Sequence, residues 1–267
     1  AMTAAVEPAR LQLIRRLNQT HDATAKLVAM REDLIRFLPE HSDLGKLNVD
    51  FKHLFASWFN RGFLVLRPIN WSSPAHILEK IITYESVHEI ENWDDLRRRL
   101  QPEDRRCFAF FHPAMPDEPL IFVEVALTKG TPNSIQSVLL ENRDAMAAEK
   151  ADTAAFYSIS NCQAGLAGIS FGNSLIKTVV QHLLRELPQI RNFVTLSPIP
   201  GLVKWLRETG NFDADATAET HMQLAAHYLL NAKHHRGQPH DPVARFHLNN
   251  GALVGAVHAN ADKSKNG

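Results

Sequence analysis

Cysteine is scarce in this chain: two in 267 residues, Cys107 and Cys162. Two thiols cannot build a disulfide framework, and their separation does not suggest a local metal knuckle. There is no His-x-x-x-His pair or His/Cys cluster at ligand spacing, so no metal is expected. Neither sign of charge is in excess, because 29 Lys and Arg balance 29 Asp and Glu. That balance argues against a nucleic acid or an anionic membrane surface as partner, since both are recruited by an excess of basic side chains. A local basic site for one small anion stays open. Long apolar runs are missing too. Even Leu120 to Leu127 is interrupted by Glu124, far short of the roughly 18 to 20 apolar residues of a membrane helix. The N-terminus has no basic stretch leading into an apolar core, so no secretory signal is read there. Internal repeats and low-complexity tracts are absent. What remains is a globular chain of one large domain or two unequal ones, in a reducing compartment.

The first sixty residues read as helices. Leu11, Ile14 and Leu17 recur at helical spacing, and so do Leu27, Met30, Leu34 and Leu38 ahead of Pro39. Asp50 to Phe59 places Phe51, Leu54, Phe55 and Trp58 on one face, with Asn60-Arg61-Gly62 as the expected C-cap. From residue 61 the period changes. Phe63 to Arg67 is a strand candidate closed by Pro68, and Pro74 opens a helix with Ser72 or Ser73 as cap. Trp93 to Leu100 is a second short helix. The segments Cys107 to Phe111 and Leu120 to Leu127 read as an antiparallel pair turning over Pro113 to Pro119. Further strands are expected at Ala154 to Ser160 and Asn192 to Leu196, with a helix from about Gly172 to Leu187 between them. Strand, two helices, three strands, helix, strand, helix is the order of the GNAT-type acyltransferase fold. The expected class is therefore α/β (mixed α+β), a GNAT-like mixed sheet with flanking helices, preceded by a short all-helical segment. The domain reading is a helical segment over 1–60 and a catalytic domain over 61–267.

Three stretches carry candidate chemistry. The loop Gln163 to Asn173 runs from a strand into a helix, where free N–H groups and the positive end of the helix dipole suit a phosphate. Its glycines let a backbone approach an anion, although the spacing after Gln163 departs from the usual acyltransferase pattern, and a plain glycine-rich turn is the alternative. The same loop holds Gly168-Ile169-Ser170-Phe171-Gly172, a formal nucleophile elbow, with Asp213 or Asp215 and then His247 following in hydrolase order. Against an elbow, the strand ends near Ser160 and does not run into Ser170. In Thr195-Leu196-Ser197-Pro198-Ile199-Pro200-Gly201 the Ser197 hydroxyl sits at a strand's C-terminal edge, or else caps the next helix. In Asp241 to Ala252, alternation as a strand would send Val243, Arg245 and His247 to one side.

These blocks together resemble the malonyl-CoA decarboxylase family. The resemblance is carried by Phe110-Phe111-His112-Pro113, Asp117-Glu118-Pro119-Leu120, Val125-Ala126-Leu127-Thr128, Phe156-Tyr157-Ser158-Ile159-Ser160, Gly165-Leu166-Ala167-Gly168, Ser197-Pro198-Ile199-Pro200-Gly201 and Phe246-His247-Leu248-Asn249-Asn250-Gly251-Ala252. It implies an N-terminal helical segment that forms a homo-oligomer and a GNAT-like domain that converts malonyl-CoA to acetyl-CoA and carbon dioxide. It implies no cofactor other than the CoA of the substrate. By the same resemblance Ala167, Gly168, Ile169, Ser170, Phe171, Gly172 and Asn173 match the CoA-binding segment, Ser197 the active-site serine, and His247 the proton-donating histidine. Family members carry more helical sequence before this region and a further segment after it, so the helical segment is expected to be incomplete and the catalytic domain shortened. A bacterial cytoplasm, or a processed organellar form, is the expected location.

The chemistry needs these residue types. Loss of carbon dioxide from a malonyl thioester leaves an enolate, which requires a donor at its oxygen and an acid at its carbon. His titrates near neutrality and can be that acid. Ser197 could hold the departing carboxylate, the enolate oxygen, or His247 itself. The competing readings are a non-catalytic acyl-CoA-binding or oligomerisation fragment, and a serine hydrolase acting through Ser170.

Overall fold

A computed structural model describes residues 8–169, 172–234 and 237–264. Three helices open the chain: α1 (Ala9–Leu17), α2 (Ala23–Phe37) and α3 (Gly45–Trp58). Each buries the stripe its periodicity dictates, Leu11 and Ile14, then Leu27, Val28 and Leu34, then Phe51, Leu54 and Phe55. Met30, expected on the apolar face of α2, is exposed. The chain leaves α3 differently from expectation. Asn60 does not close a left-handed cap; its side chain accepts from Gly62 N at 2.9 Å and starts a 3-10 turn, Arg61–Phe63.

The strand and helix order that follows is the expected one: β1 (Val65–Ile69), α4 (Ala75–Tyr84), α5 (Trp93–Leu100), β2 (Arg105–His112), β3 (Met115–Thr128), the short α6 (Ile135–Leu139), β4 (Thr153–Asn161), α7 (Gly172–Glu186), β5 (Asn192–Thr195) and α8 (Leu202–Glu208). The five strands form a mixed sheet in the order β1-β2-β3-β4-β5. β1 is antiparallel to β2, with Val65 opposite Phe111 and Ile69 opposite Cys107. β5 is parallel to β4, with Thr153 opposite Asn192 and Phe156 opposite Thr195. The fold is thus a mixed α/β fold with helices flanking the sheet and a helical N-terminal region.

Several boundaries moved for local reasons. β1 continues through Pro68 because it is an edge strand, where a missing N–H can face outward. The turn between β2 and β3 is only Pro113-Ala114, shorter than expected, so β3 starts at Met115. Neither Ser72 nor Ser73 caps α4: Pro74 takes the N-cap position, while Ser73 Oγ accepts from Asn70 N at 3.1 Å. α9 (Ala218–Asn231) and α10 (Pro242–Asn249) complete the described elements. The strand expected over Val243 to Leu248 is α10, a helix. Asp241 explains why: its Oδ1 accepts from Val243 N and Ala244 N, both at 2.9 Å, and Pro242 supplies a preset first turn.

The chain divides into two compact units, one comprising residues up to Glu124 with Ser158–Glu186, the other Val125–Tyr157 with residues from Leu187 onward. In the first, Ile77, Leu78 and Ile81 of α4 and Leu96 and Leu100 of α5 pack with Cys107, Phe111 and Phe122. α7 buries Leu175, Val179 and Leu183 there, a four-residue repeat. In the second, Ala126, Ile135, Val138 and Tyr157 form a core, with Leu196 packed on it. Among the described residues no helix is long and apolar enough to cross a membrane.

Candidate active site

Ser197 follows β5 by two residues. The N–H of Leu196 donates to Phe156 O at 2.9 Å and so extends the parallel pairing to the residue before the serine. Ser197 does not cap α8. The N-cap residue of that helix is Gly201, without any side-chain cap. Instead Ser197 Oγ lies 3.1 Å from His247 Nε2. The serine is exposed and the imidazole half-buried. Burial lowers the pKa of His247 below its ordinary 6.5, because the imidazolium loses hydration. The free imidazole is therefore neutral at neutral pH.

His247 sits five residues into α10, so the start of that helix sets where its ring goes. Asp241, 1% exposed, fixes that start and also reaches across the chain: its Oδ2 accepts from Gly201 N at 3.2 Å. One carboxylate thus ties the start of the histidine's helix to the end of the serine's turn. Gly201 is needed for the fit, since a Cβ there would collide with the hydroxyl of Tyr228. Tyr228 is fully buried on α9, and its hydroxyl lies 3.2 Å from His240 Nδ1. Asp241, Gly201 and Tyr228 were not singled out by sequence reasoning. The Asp-Pro pair at 241–242 was the available signal, a helix start that takes precedence over apparent alternation.

The second candidate, the loop before α7, lies in the other unit and is described on its own. Cys162 to Ile169 separates β4 from the loop's distal end. Gln163 anchors the near end, its Nε2 donating to Pro119 O at 3.1 Å. A 3-10 turn, Ala164–Leu166, is followed by Gly168 at φ +78°. That left-handed conformation disfavours any residue with a Cβ. Ala167 and Gly168 are exposed. The backbone of Gly172 begins α7, so the loop does lead into a helix of 15 residues. Ser170 and Phe171 lie outside the described residues, as does the side chain of Asn173. An elbow needs a strand that turns sharply into its nucleophile, and the interposed 3-10 turn departs from that pattern. His247 has Ser197 as its hydroxyl partner.

The family profile described as "Malonyl-CoA decarboxylase C-terminal domain" matches residues 62–220 and 208–267, and "Malonyl-CoA decarboxylase N-terminal domain" matches residues 1–59. A curated relative, the mitochondrial malonyl-CoA decarboxylase of Anser anser anser, is 38% identical over 306 residues, covering 96% of this chain. The chain spans 60% of that relative's length. The crystal structure of malonyl-CoA decarboxylase from Rhodopseudomonas palustris is 55% identical, with a TM-score of 0.84 over 92% of this chain and 67% of that one. The one from Agrobacterium vitis is 52% identical, with a TM-score of 0.86 over 92% of this chain and 66% of that one. With both profiles matched and such identity over most of its length, the chain belongs to the malonyl-CoA decarboxylase family.

Proposed function

We propose that this chain decarboxylates malonyl-CoA to acetyl-CoA and carbon dioxide, with His247 as the acid that protonates the thioester enolate. The observation that carries the reading is the 3.1 Å contact between Ser197 Oγ and His247 Nε2. In the proposed step the bond between the carboxylate carbon and the α-carbon breaks. Carbon dioxide leaves, and the electron pair enters the thioester as an enolate. The imidazolium of His247 gives its proton to the α-carbon and is recharged from solvent. Ser197 supplies the hydroxyl donor that steadies developing negative charge, a role of the oxyanion-hole kind.

Burial makes the free imidazolium costly, and the malonyl carboxylate of bound substrate is the anion that would favour it. The acid is then formed where the substrate is present. Residues Ala167 to Asn173 hold the CoA phosphates in this reading, supported by the exposed glycine at positive φ and by the helix that starts at Gly172. No cofactor beyond the substrate's own CoA is called for. Self-association through the helical segment is supported by apolar side chains left exposed at helical spacing, Leu13 with Leu17 on α1 and Met30 with Phe37 on α2.

The test is a coupled assay for acetyl-CoA formed from malonyl-CoA by this chain, run beside a CoA-binding titration. Turnover supports the reading. Binding without product would favour the acyl-CoA-binding module instead.

A further inference from the structure

Arg31 lies within α2, far in sequence from the loop before α7, and is fully buried. Its guanidinium reaches that loop directly: Nη1 donates to Gly165 O at 2.5 Å and Nη2 to Ala167 O at 2.7 Å. Nε donates to Asn48 Oδ1 on α3 at 3.1 Å, and the guanidinium carbon lies 5.9 Å from the Phe55 ring centroid. Among the described residues no carboxylate pairs with this cation. Burial pulls its pKa down, yet a guanidinium keeps its proton at any ordinary pH. The backbones fit as closely as the side chain does, because a Cβ on Gly165 would run into the carbonyl of Val28 on the same helix.

A buried cation without a counter-charge is destabilising, and carbonyl dipoles offset that only in part. For packing alone, an apolar side chain of similar volume would serve as well or better. The loop that receives this charge is exposed on its other side at Ala167 and Gly168. Lys52 Nζ lies 3.4 Å from the position a Cβ on Gly168 would take. An anion resting on the exposed side would complete the charge that the protein interior leaves unmatched.

We infer that Arg31 is a positioning residue for the phosphates of acyl-CoA, holding the Gly165–Ala167 backbone from beneath and supplying positive potential through it. It touches no substrate, and it makes the helical segment part of the binding site. The inference rests on the assignment of this loop to CoA under the proposed function, and of that loop it uses Gly165, Ala167 and Gly168 alone.

The test is calorimetric titration of the full chain with two probes, acetyl-CoA and S-acetyl-pantetheine, which lacks the phosphates. Arg31→Met is expected to weaken acetyl-CoA about tenfold or more while leaving the phosphate-free probe within about twofold, the size expected when a nearby fixed charge is lost. Arg31→Lys, which keeps the charge without the two-carbonyl fork, should fall between. Unchanged acetyl-CoA affinity in Arg31→Met, or an equal loss on both probes, would overturn the inference. Should Arg31→Met fail to fold, Asn48→Ala loosens the guanidinium from its other side and decides: a loss confined to acetyl-CoA supports the inference, and no loss or an equal loss contradicts it. A wild-type chain that binds both probes alike would instead remove the CoA assignment of the loop, and the inference with it.

Discussion

Ser197 Oγ stands 3.1 Å from His247 Nε2, across 50 positions of sequence. Two segments with unrelated local rules are brought together here, a proline-fixed turn after β5 and a helix capped by its own aspartate. The hydroxyl is exposed, so it can leave the imidazole for a substrate oxygen. Ser197→Ala should lower saturated turnover by about a hundredfold, the usual cost of one preorganised donor to developing negative charge. Initial rates of acetyl-CoA formation would show it. Ser197→Thr, which keeps a hydroxyl, should recover part of the rate; equal rates for Ala and wild type would remove the serine from the chemistry.

Asp241 is expected to matter without touching substrate. Asp241→Ala removes the cap of α10, costing about 1 kcal/mol by the usual size of such caps, and leaves Gly201 N without its acceptor. Asp241→Asn retains a capping oxygen. Thermal unfolding and turnover measured together should show loss of both in the Ala variant and a smaller loss in the Asn variant, whose one oxygen can cap α10 while its NH2 cannot accept from Gly201 N. An Ala variant with normal turnover would show that the brace does not set the Ser197–His247 geometry.

A buried carboxyl in the first unit predicts a dependence of stability on pH. Glu124 is fully buried; one oxygen meets Arg99 Nη1 at 3.3 Å, and Oε1 has no hydrogen-bond partner among the described residues. Burial first, and the nearby Glu85 next, push its pKa up to about 8 from 4.5, against the pull of Arg99. The folded state therefore holds a proton that the unfolded chain releases, so this group's contribution falls as pH rises from about 4.5 to about 8. Glu124→Gln should flatten the slope of unfolding free energy against pH across that window. Denaturant titrations at pH 5, 6.5 and 8 check it, and parallel slopes for the two proteins would contradict the assignment.

The half-buried imidazole predicts the pH profile of catalysis. With its pKa lowered by burial, His247 in the free protein carries its proton only on the acid side of 6.5. If the imidazolium is the acid, kcat/KM is level at low pH and falls as pH rises through that lowered value. The kcat profile, which reports the substrate complex, should break at higher pH because the malonyl carboxylate favours the charged ring. A kcat/KM that rises with pH over this range would require His247 to act as a base.

Much of this was legible in the residues. Helical spacing gave the N-terminal helices, and short apolar runs such as Leu120 to Leu127, buried at every position, gave most strands. Ser197 and His247 were legible through their sequence blocks. Their mutual contact was one of three roles open to Ser197, and the residues alone could not choose among them, because nothing local to residue 197 encodes a helix starting at 242. The misreading of α10 as a strand has a definite cause: six residues alternating by type, Val243 to Leu248, resemble a strand unless Asp241-Pro242 is given precedence as a start signal. Arg31 was passed over because an arginine between apolar positions of a helix normally faces solvent. Its burial follows from two carbonyls more than 130 residues away, and only the folded chain shows them.

The most direct measurement is carbon dioxide release from malonyl-CoA by His247→Ala, at saturating substrate and with folding confirmed by thermal unfolding. A proton-donating His247 predicts turnover lower by about a hundredfold or more, in the range found for general acids, with acetyl-CoA binding retained. A folded His247→Ala protein that releases carbon dioxide at close to the wild-type rate would contradict the assignment of His247 as the acid.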